Sequence, residues 1–315
     1  MLQYFASLNF LTLVKVLPGD IAQGLIWGIL ALGVFITYKI LDFADLTVDG
    51  SFATGGAVTV MLILAGVPTP VALLAAVLAG CLAGLVTALL HTMLGIPGIL
   101  ASILTQIALF SINLNIMGKA NQAVSVDQYR LVLSSRFNPQ AILSGAVFVV
   151  LIIAALYWYF GTEQGCAIRA TGCTPSMAKA QGININTMKI LALSLSNGLV
   201  ALSGGLTAQY QGFSDINMGR GAIVIGLAAV IIGDVLFSAI LKKRQNFAVR
   251  LCFVVIGSIL YYIVIGIVLW LKMPTNDMKL FTAIIVAIFL AVPYLKERSR
   301  SSFTRAAKNG GKQNA

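Results

Sequence analysis

The sequence predicts an all-α membrane protein, a polytopic helical bundle of about 8–10 spans arranged as an inverted repeat. Three observations carry that prediction. Of 315 residues, 59% are hydrophobic and only 10% charged, with a mean hydropathy of +0.94, which is too apolar for a soluble domain of this length. Apolar runs of about 20 residues, enough to cross a ~30 Å hydrocarbon core, recur along the chain. Finally, FADLTVDG at 43–50 has a counterpart in FSDINMGR at 213–220.

The spans are placed near 20–38, 50–66, 71–92, 98–117, 141–160, 190–210, 222–241, 251–271 and 280–295. Strand alternation is not sustained anywhere, and lipid leaves no backbone group unpaired, so the spans are helices. Residues 1–19 are too interrupted to span and are read as an interfacial segment without a cleavable signal peptide. Residues 20–295 form the transmembrane domain, and 296–315 a basic tail.

Basic residues stay on the cytoplasmic side, which puts the tail, the turn KKRQNFAVR and the loop with Arg169, Lys179 and Lys189 inside. Counting back through nine spans puts the amino terminus outside and the 39–49 turn inside. The net charge of +11 thus reflects topology and contact with the anionic bilayer rather than nucleic-acid binding. Cys81, Cys166, Cys173 and Cys252 have no metal-ligand spacing and His91 stands alone, so no metal site is expected. Gly24 with Gly28, and Gly80 with Gly84, have the spacing of close helix packing.

The connection 161–189 is longer than two helices need for a turn. Within it Thr174 suits a helix cap, Pro175 the first helical position and Gly182 the left-handed stop, framing a short helix from Pro175 to Gln181. Such a capped helix on the inner face is a docking feature, or simply a solvated loop with a turn.

The run Gly165, Ile168, Arg169, Ala170, Gly172, Met177, Ala178, Gly182 and Ile183 resembles the cytoplasmic loop of permease subunits of branched-chain amino acid and ribose ABC importers. Residues 190–212 resemble the span that follows in that family, and the likeness extends over most of 20–295. DFADLTVDGSF is similar to a subgroup linked to aromatic amino acid uptake. The resemblance implies a permease subunit in the plasma membrane, with a cytoplasmic carboxyl terminus, that imports a small solute. An amino acid, within the subgroup an aromatic one, is favoured over sugars and nucleosides.

It further implies three partners besides the lipid bilayer: ABC ATPase subunits, an extracellular solute-binding protein, and a second permease, either another copy in a homodimer or a homologue. Arg169, Thr174, Pro175, Met177, Ala178, Lys179 and Gly182 would couple to the ATPase. The chain is not expected to be an enzyme. It has no GxxxxGK[ST] loop, so no cofactor is expected here, and ATP and Mg would bind the partner ATPase. The sequence departs from the family at VIIGDVLF, where Asp234 replaces a second glycine. That substitution puts close packing there in question and sets a carboxylate inside a span. Asp234 either snorkels or pairs with Lys242 or Lys243, or it acts as the carrier of an ion-coupled secondary transporter, the competing reading.

The acidic turn returns in the repeat. Asp45 matches Asp215 at an offset of 170 residues, and the spans flanking each turn coincide. An odd number of intervening spans gives the copies opposite orientation, with the pathway between them and the two turns at opposite mouths. Asp42, Asp45 and Asp49 share one face if the segment is helical, with Asp49 or Ser51 capping the next span. Gly50–Gly56 is the expected helix break. The pathway residues are then Asp45, Asp49, Ser51, Thr54 and Thr59, faced by Asn197, Ser203 and Thr207. Each hydroxyl has a competing role in bonding its own helix. Ser102, Thr105, Gln106, Asn113 and Asn115 are the next lining candidates. Arg130, Arg136 and Arg220 are expected on the outer surface, toward an external binding protein or lipid headgroups.

Overall fold

The computed structural model describes residues 10–240 and 246–270 apart from 126, 127, 130 and 137, with a few single positions between 280 and 291. Helix α1 (Phe10–Phe35) runs into a π-helical turn (Ile36–Ile40) and a non-helical connection. Next come α2 (Thr47–Leu64), α3 (Thr69–Thr92) and α4 (Gly98–Met117). A short strand β1 (Asn121–Ala123) precedes α5 (Asn138–Gly161), α6 (Glu163–Cys173), α7 (Pro175–Ala180) and α8 (Ile185–Gln211). The last described elements are β2 (Phe213–Asp215), α9 (Ala222–Ile240) and α10 (Phe247–Trp270).

Among the described residues seven helices are long and apolar enough to span a membrane, and Ala222–Ser238 is a shorter apolar helix. Together they account for eight of the nine predicted spans. The ninth, at 280–295, and the tail lie outside the described residues, or almost so. The first helix starts at Phe10, and no break marks position 19.

The repeat is built into the packing. Helices α1 and α8 cross antiparallel: Ser196 Oγ donates to the Gly33 carbonyl and Ser203 Oγ to that of Ile26, both at 2.8 Å. Positions 26 and 33 correspond to 196 and 203 at the offset of 170, so the two bonds are symmetry mates. The predicted glycine pairs occupy matching interfaces. Gly24 and Gly28 abut Ile259 and Val255 of α10, while Gly80 and Gly84 abut Asn197 and Leu193 of α8. Without hydrophobic drive in lipid, such close approach supplies the attraction between helices.

The offset changes from 170 to 175 beyond the turns. Helix α2 begins at Thr47 and α9 at Ala222, so the second copy carries five additional residues after Asp215. The eight-residue match thus ends in a register shift that the sequence comparison missed.

Candidate functional site

Two connections fold into the bundle. The first, residues 41–46, is an irregular connection rather than a helix, and Asp42 has a left-handed backbone (φ 56°). The three aspartates therefore do not share a helix face: Asp42 is exposed while Asp45 is buried. Asp45 Oδ1 accepts the Thr47 amide at 2.9 Å, starting α2, and Oδ2 accepts Asn197 Nδ2 at 2.7 Å. Asn197 Oδ1 in turn accepts Ser51 Oγ at 2.6 Å. Asn197 is twelve residues into the 27-residue α8, about 18 Å from its start at 1.5 Å per residue. The helix break thus lies before Thr47 and at mid-bundle depth, not at Gly50–Gly56. Those glycines serve contact instead: a Cβ on Gly55 would collide with the Ala201 carbonyl, and one on Gly56 with Met218.

The second connection, residues 212–221, repeats the device. Asp215 Oδ1 accepts the Asn217 amide at 2.7 Å, as Asp45 does with Thr47, and β2 pairs antiparallel with β1. The chain then runs down α2 until Gly219 lies against the Asp49 backbone. Asp49 Oδ2 accepts the Gly221 amide at 3.0 Å and Oδ1 that of Ile223 at 2.9 Å. Asp49 therefore caps α9, in the other repeat, instead of α2. The two connections lie toward opposite ends of the bundle, and the second reaches inward along α2 as far as Asp49. Arg220, expected on the outer surface, is exposed, but it directly precedes the amide that Asp49 holds and so lies level with the start of α2. Arg136 is exposed, and Arg130 lies outside the described residues.

The remaining predicted pathway residues are interior. Ser51, Thr54, Thr59, Asn197, Ser203 and Thr207 are all buried. Thr54 and Thr207 bond their own helix, donating to the Gly50 and Ser203 carbonyls, and Ser203 also bridges to α1. Thr59 Oγ1 has no hydrogen-bond partner. These six lie within helix contacts of the single chain.

Open space lies one face away. A cavity of about 390 Å³ is bounded by Asp49, Gly50 and Ala53 of α2, by Ile103, Gln106, Ile107, Phe110 and Asn113 of α4, and by Ile216 and Arg220. Of the second-choice lining residues, Gln106 and Asn113 reach it. Ser102 and Thr105 are buried against their own helix, bonding the Ile99 and Ala101 carbonyls, and Asn115 is exposed elsewhere.

At the end of the bundle carrying α6 and α7, Thr162 caps α6 by accepting the Gly165 amide, and Pro175 opens α7. Gly182 follows with φ +82°. The short helix lies where the sequence predicted it, ending at Ala180, one residue early. Ala178 is buried as its anchor, Met177 is 62% exposed and Lys179 is exposed. Arg169 faces inward: its Nη2 donates to the Phe160 carbonyl at 2.7 Å and its guanidinium lies 5.8 Å from the Phe247 ring. It braces α6 against α5 and α10. Gly172 lies against the Ile40 backbone, joining α6 to the π-helical turn.

Asp234 lies at the same end. Arg250 donates to both its oxygens, at 3.0 and 3.2 Å, and Lys39 Nζ is 3.0 Å away. These are the observed partners; Lys242 and Lys243 lie outside the described residues. Close packing is kept despite the acid, because the adjacent Gly233 meets Gly257 backbone to backbone.

Inverted repeats with broken connections running into the bundle are the plan of many transporters. The chain belongs to the family of permease components of branched-chain amino acid transport systems, whose profile matches residues 20–293. It is a multi-pass membrane protein. It is 41% identical over 269 residues to the tyrosine transport system permease protein of Clostridioides difficile (strain R20291), covering 85% of this chain and 88% of that one. An uncharacterized protein of Rickettsia prowazekii (strain Madrid E) is 33% identical over 284 residues, 88% and 97% of the respective chains. Among solved structures, PsaBC from Streptococcus pneumoniae in complex with Fab matches with a TM-score of 0.43 and 14% identity, over 82% of this chain and 95% of that chain.

Proposed function

We propose that the chain is the membrane subunit of an ATP-driven importer of aromatic amino acids, tyrosine foremost. Two copies form the translocation pathway, and an extracellular binding protein delivers the substrate to the end bearing the β-ribbon. ATPase subunits, which hold the ATP and Mg, dock at α6 and α7. That end is cytoplasmic, as is the carboxyl terminus, and the bilayer is the plasma membrane. The substrate assignment rests on 41% identity to a tyrosine transport permease.

The observation carrying ATP drive is α7 itself. A six-residue helix anchored by one buried alanine, with Met177 and Lys179 turned outward, makes a rigid knob. Through Gly172 and Arg169 it is tied to the π-helical turn and α5, so a push on the knob reaches the connection that carries Asp45. Arg169, Thr174, Pro175, Met177, Ala178, Lys179 and Gly182 make up this coupling unit, Arg169 and Ala178 as its anchors.

The ion-coupled alternative requires Asp234 to take up and release a cation. A carboxylate already held by Arg250 and Lys39 is poorly suited to that role and serves to join three elements.

The test is purification of the complex from its native membrane, alongside a variant carrying Ala178→Asp and Gly182→Pro. Recovery of a stoichiometric ATP-binding subunit that the variant loses, with ATP-dependent tyrosine uptake in proteoliposomes, is the expected result. A partnerless protein that transports under an ion gradient alone would overturn the reading.

A further inference from the structure

The cavity between α2, α4 and the 212–221 connection has no assigned role, and its composition is specific. Arg220 lies at mid-bundle depth, level with Asp49, and is exposed, with no side-chain partner among the described residues. A guanidinium facing lipid at that depth costs about 2.5–3.5 kcal/mol even on the lower scale, so such a group is retained where it faces a wet cavity or a ligand. It also belongs to the five residues by which the second copy exceeds the first, so the inverted-repeat framework does not require it.

Asp49 stands opposite. Its oxygens hold the Gly221 and Ile223 amides at the start of α9, and the residue lines the cavity. A fixed cation beside a fixed anion complements the α-carboxylate and α-ammonium of an amino acid. Phe110 and Ile107 form the adjoining apolar wall.

Asn113 completes the pattern. It is 1% exposed, and neither its amide nitrogen nor its oxygen has a hydrogen-bond partner, a state that costs about 1–3 kcal/mol for each buried group. It lies two turns beyond Gln106, about 10 Å along α4, at the far end of the apolar wall. A partner that satisfies both atoms must donate and accept, as a phenol does. A volume of about 390 Å³ falls in the usual range of about 300–1,000 Å³ for small-molecule sites.

We infer that this cavity is a substrate station within the membrane, in which Arg220 and Asp49 hold the zwitterion, Phe110 packs on the ring and Asn113 reads the para-hydroxyl. The inference rests on the importer reading above and adds selectivity in the permease itself.

The experiment is competitive ATP-driven uptake of tyrosine and phenylalanine by the reconstituted transporter, with one binding protein for all variants so that any change of ratio belongs to the permease. The wild type should prefer tyrosine. Asn113→Leu should lower the tyrosine-to-phenylalanine ratio about tenfold, because a site built to bond a hydroxyl loses discrimination when the bond is removed. A role in folding alone would lower both rates together. Arg220→Gln should cut uptake of both at least about tenfold, with partial recovery in Arg220→Lys. Substrate-free ATP hydrolysis reports whether each variant still assembles. A ratio unmoved in an assembled Asn113→Leu transporter overturns the station while leaving the importer reading intact. A wild-type complex that imports neither amino acid overturns both.

Discussion

Asp49 and Ile223, 174 residues apart in sequence, are joined at 2.9 Å through a side-chain carboxylate and a backbone amide. With the Gly221 bond, this makes one residue of the first repeat the cap of a helix in the second. At the helix start the carboxylate satisfies amides that no helical carbonyl can reach. Asp49→Ala should therefore destabilise the detergent-solubilised protein by about 2 kcal/mol, lowering its unfolding midpoint. Asp49→Asn, which keeps an acceptor, should lose less.

Asn197 holds Asp45 and Ser51 at once. Asn197→Leu leaves a buried carboxylate short of a donor and should cost about 3 kcal/mol. The double variant Asn197→Leu with Asp45→Leu should cost less than the sum of the two single changes, and urea or thermal denaturation of all four proteins measures the coupling. Strict additivity would show that the two residues do not act together.

Glycines in this chain separate by what surrounds them. Gly55→Ala and Gly204→Ala press a methyl into the Ala201 and Phe52 carbonyls, which a packed interior cannot absorb. Loss of folded protein is expected, at about 3 kcal/mol or more each. Gly161→Ala ends α5 with nothing within reach and should be neutral or slightly stabilising. Membrane yield and thermal midpoint would show the contrast.

The ion-pair cluster yields a prediction about energy source. Asp234→Asn should lower the unfolding midpoint by weakening the junction of the π-helical turn, α9 and α10, at about 1–2 kcal/mol. ATP-driven uptake should persist at a reduced level and stay independent of any imposed ion gradient. Abolished uptake in a folded variant would reinstate the acid as a carrier.

The spans and the short coupling helix were legible because their signals are local: apolar length for the former, Pro175 and Gly182 for the latter, although Thr174 precedes the helix without the side-chain cap bond expected of it. The repeat was legible through Asp45 and Asp215, which carry out the same turn. What failed depended on distance. A glycine that breaks a helix and one that lets a neighbour approach look alike in sequence, so Gly50–Gly56 was misread. Asp49 satisfies every local criterion for capping α2, and only the fold brings α9 to it. Arg220 looks like an outer-loop cation until the connection turns inward. The partners of Asp234 lie far from it in one direction and near in the other, and the nearer lysines drew the assignment.

The paired serines of the α1–α8 crossing bear on ancestry. Both donors, Ser196 and Ser203, lie on α8, while their counterparts on α1 are Ile26 and Gly33. An ancestral half that assembled with an inverted copy of itself would have carried donor and acceptor on one helix. Here the halves have specialised, one as giver and one as receiver of the bond. Two first halves placed together would cross without these two bonds, so in this respect the halves are not interchangeable.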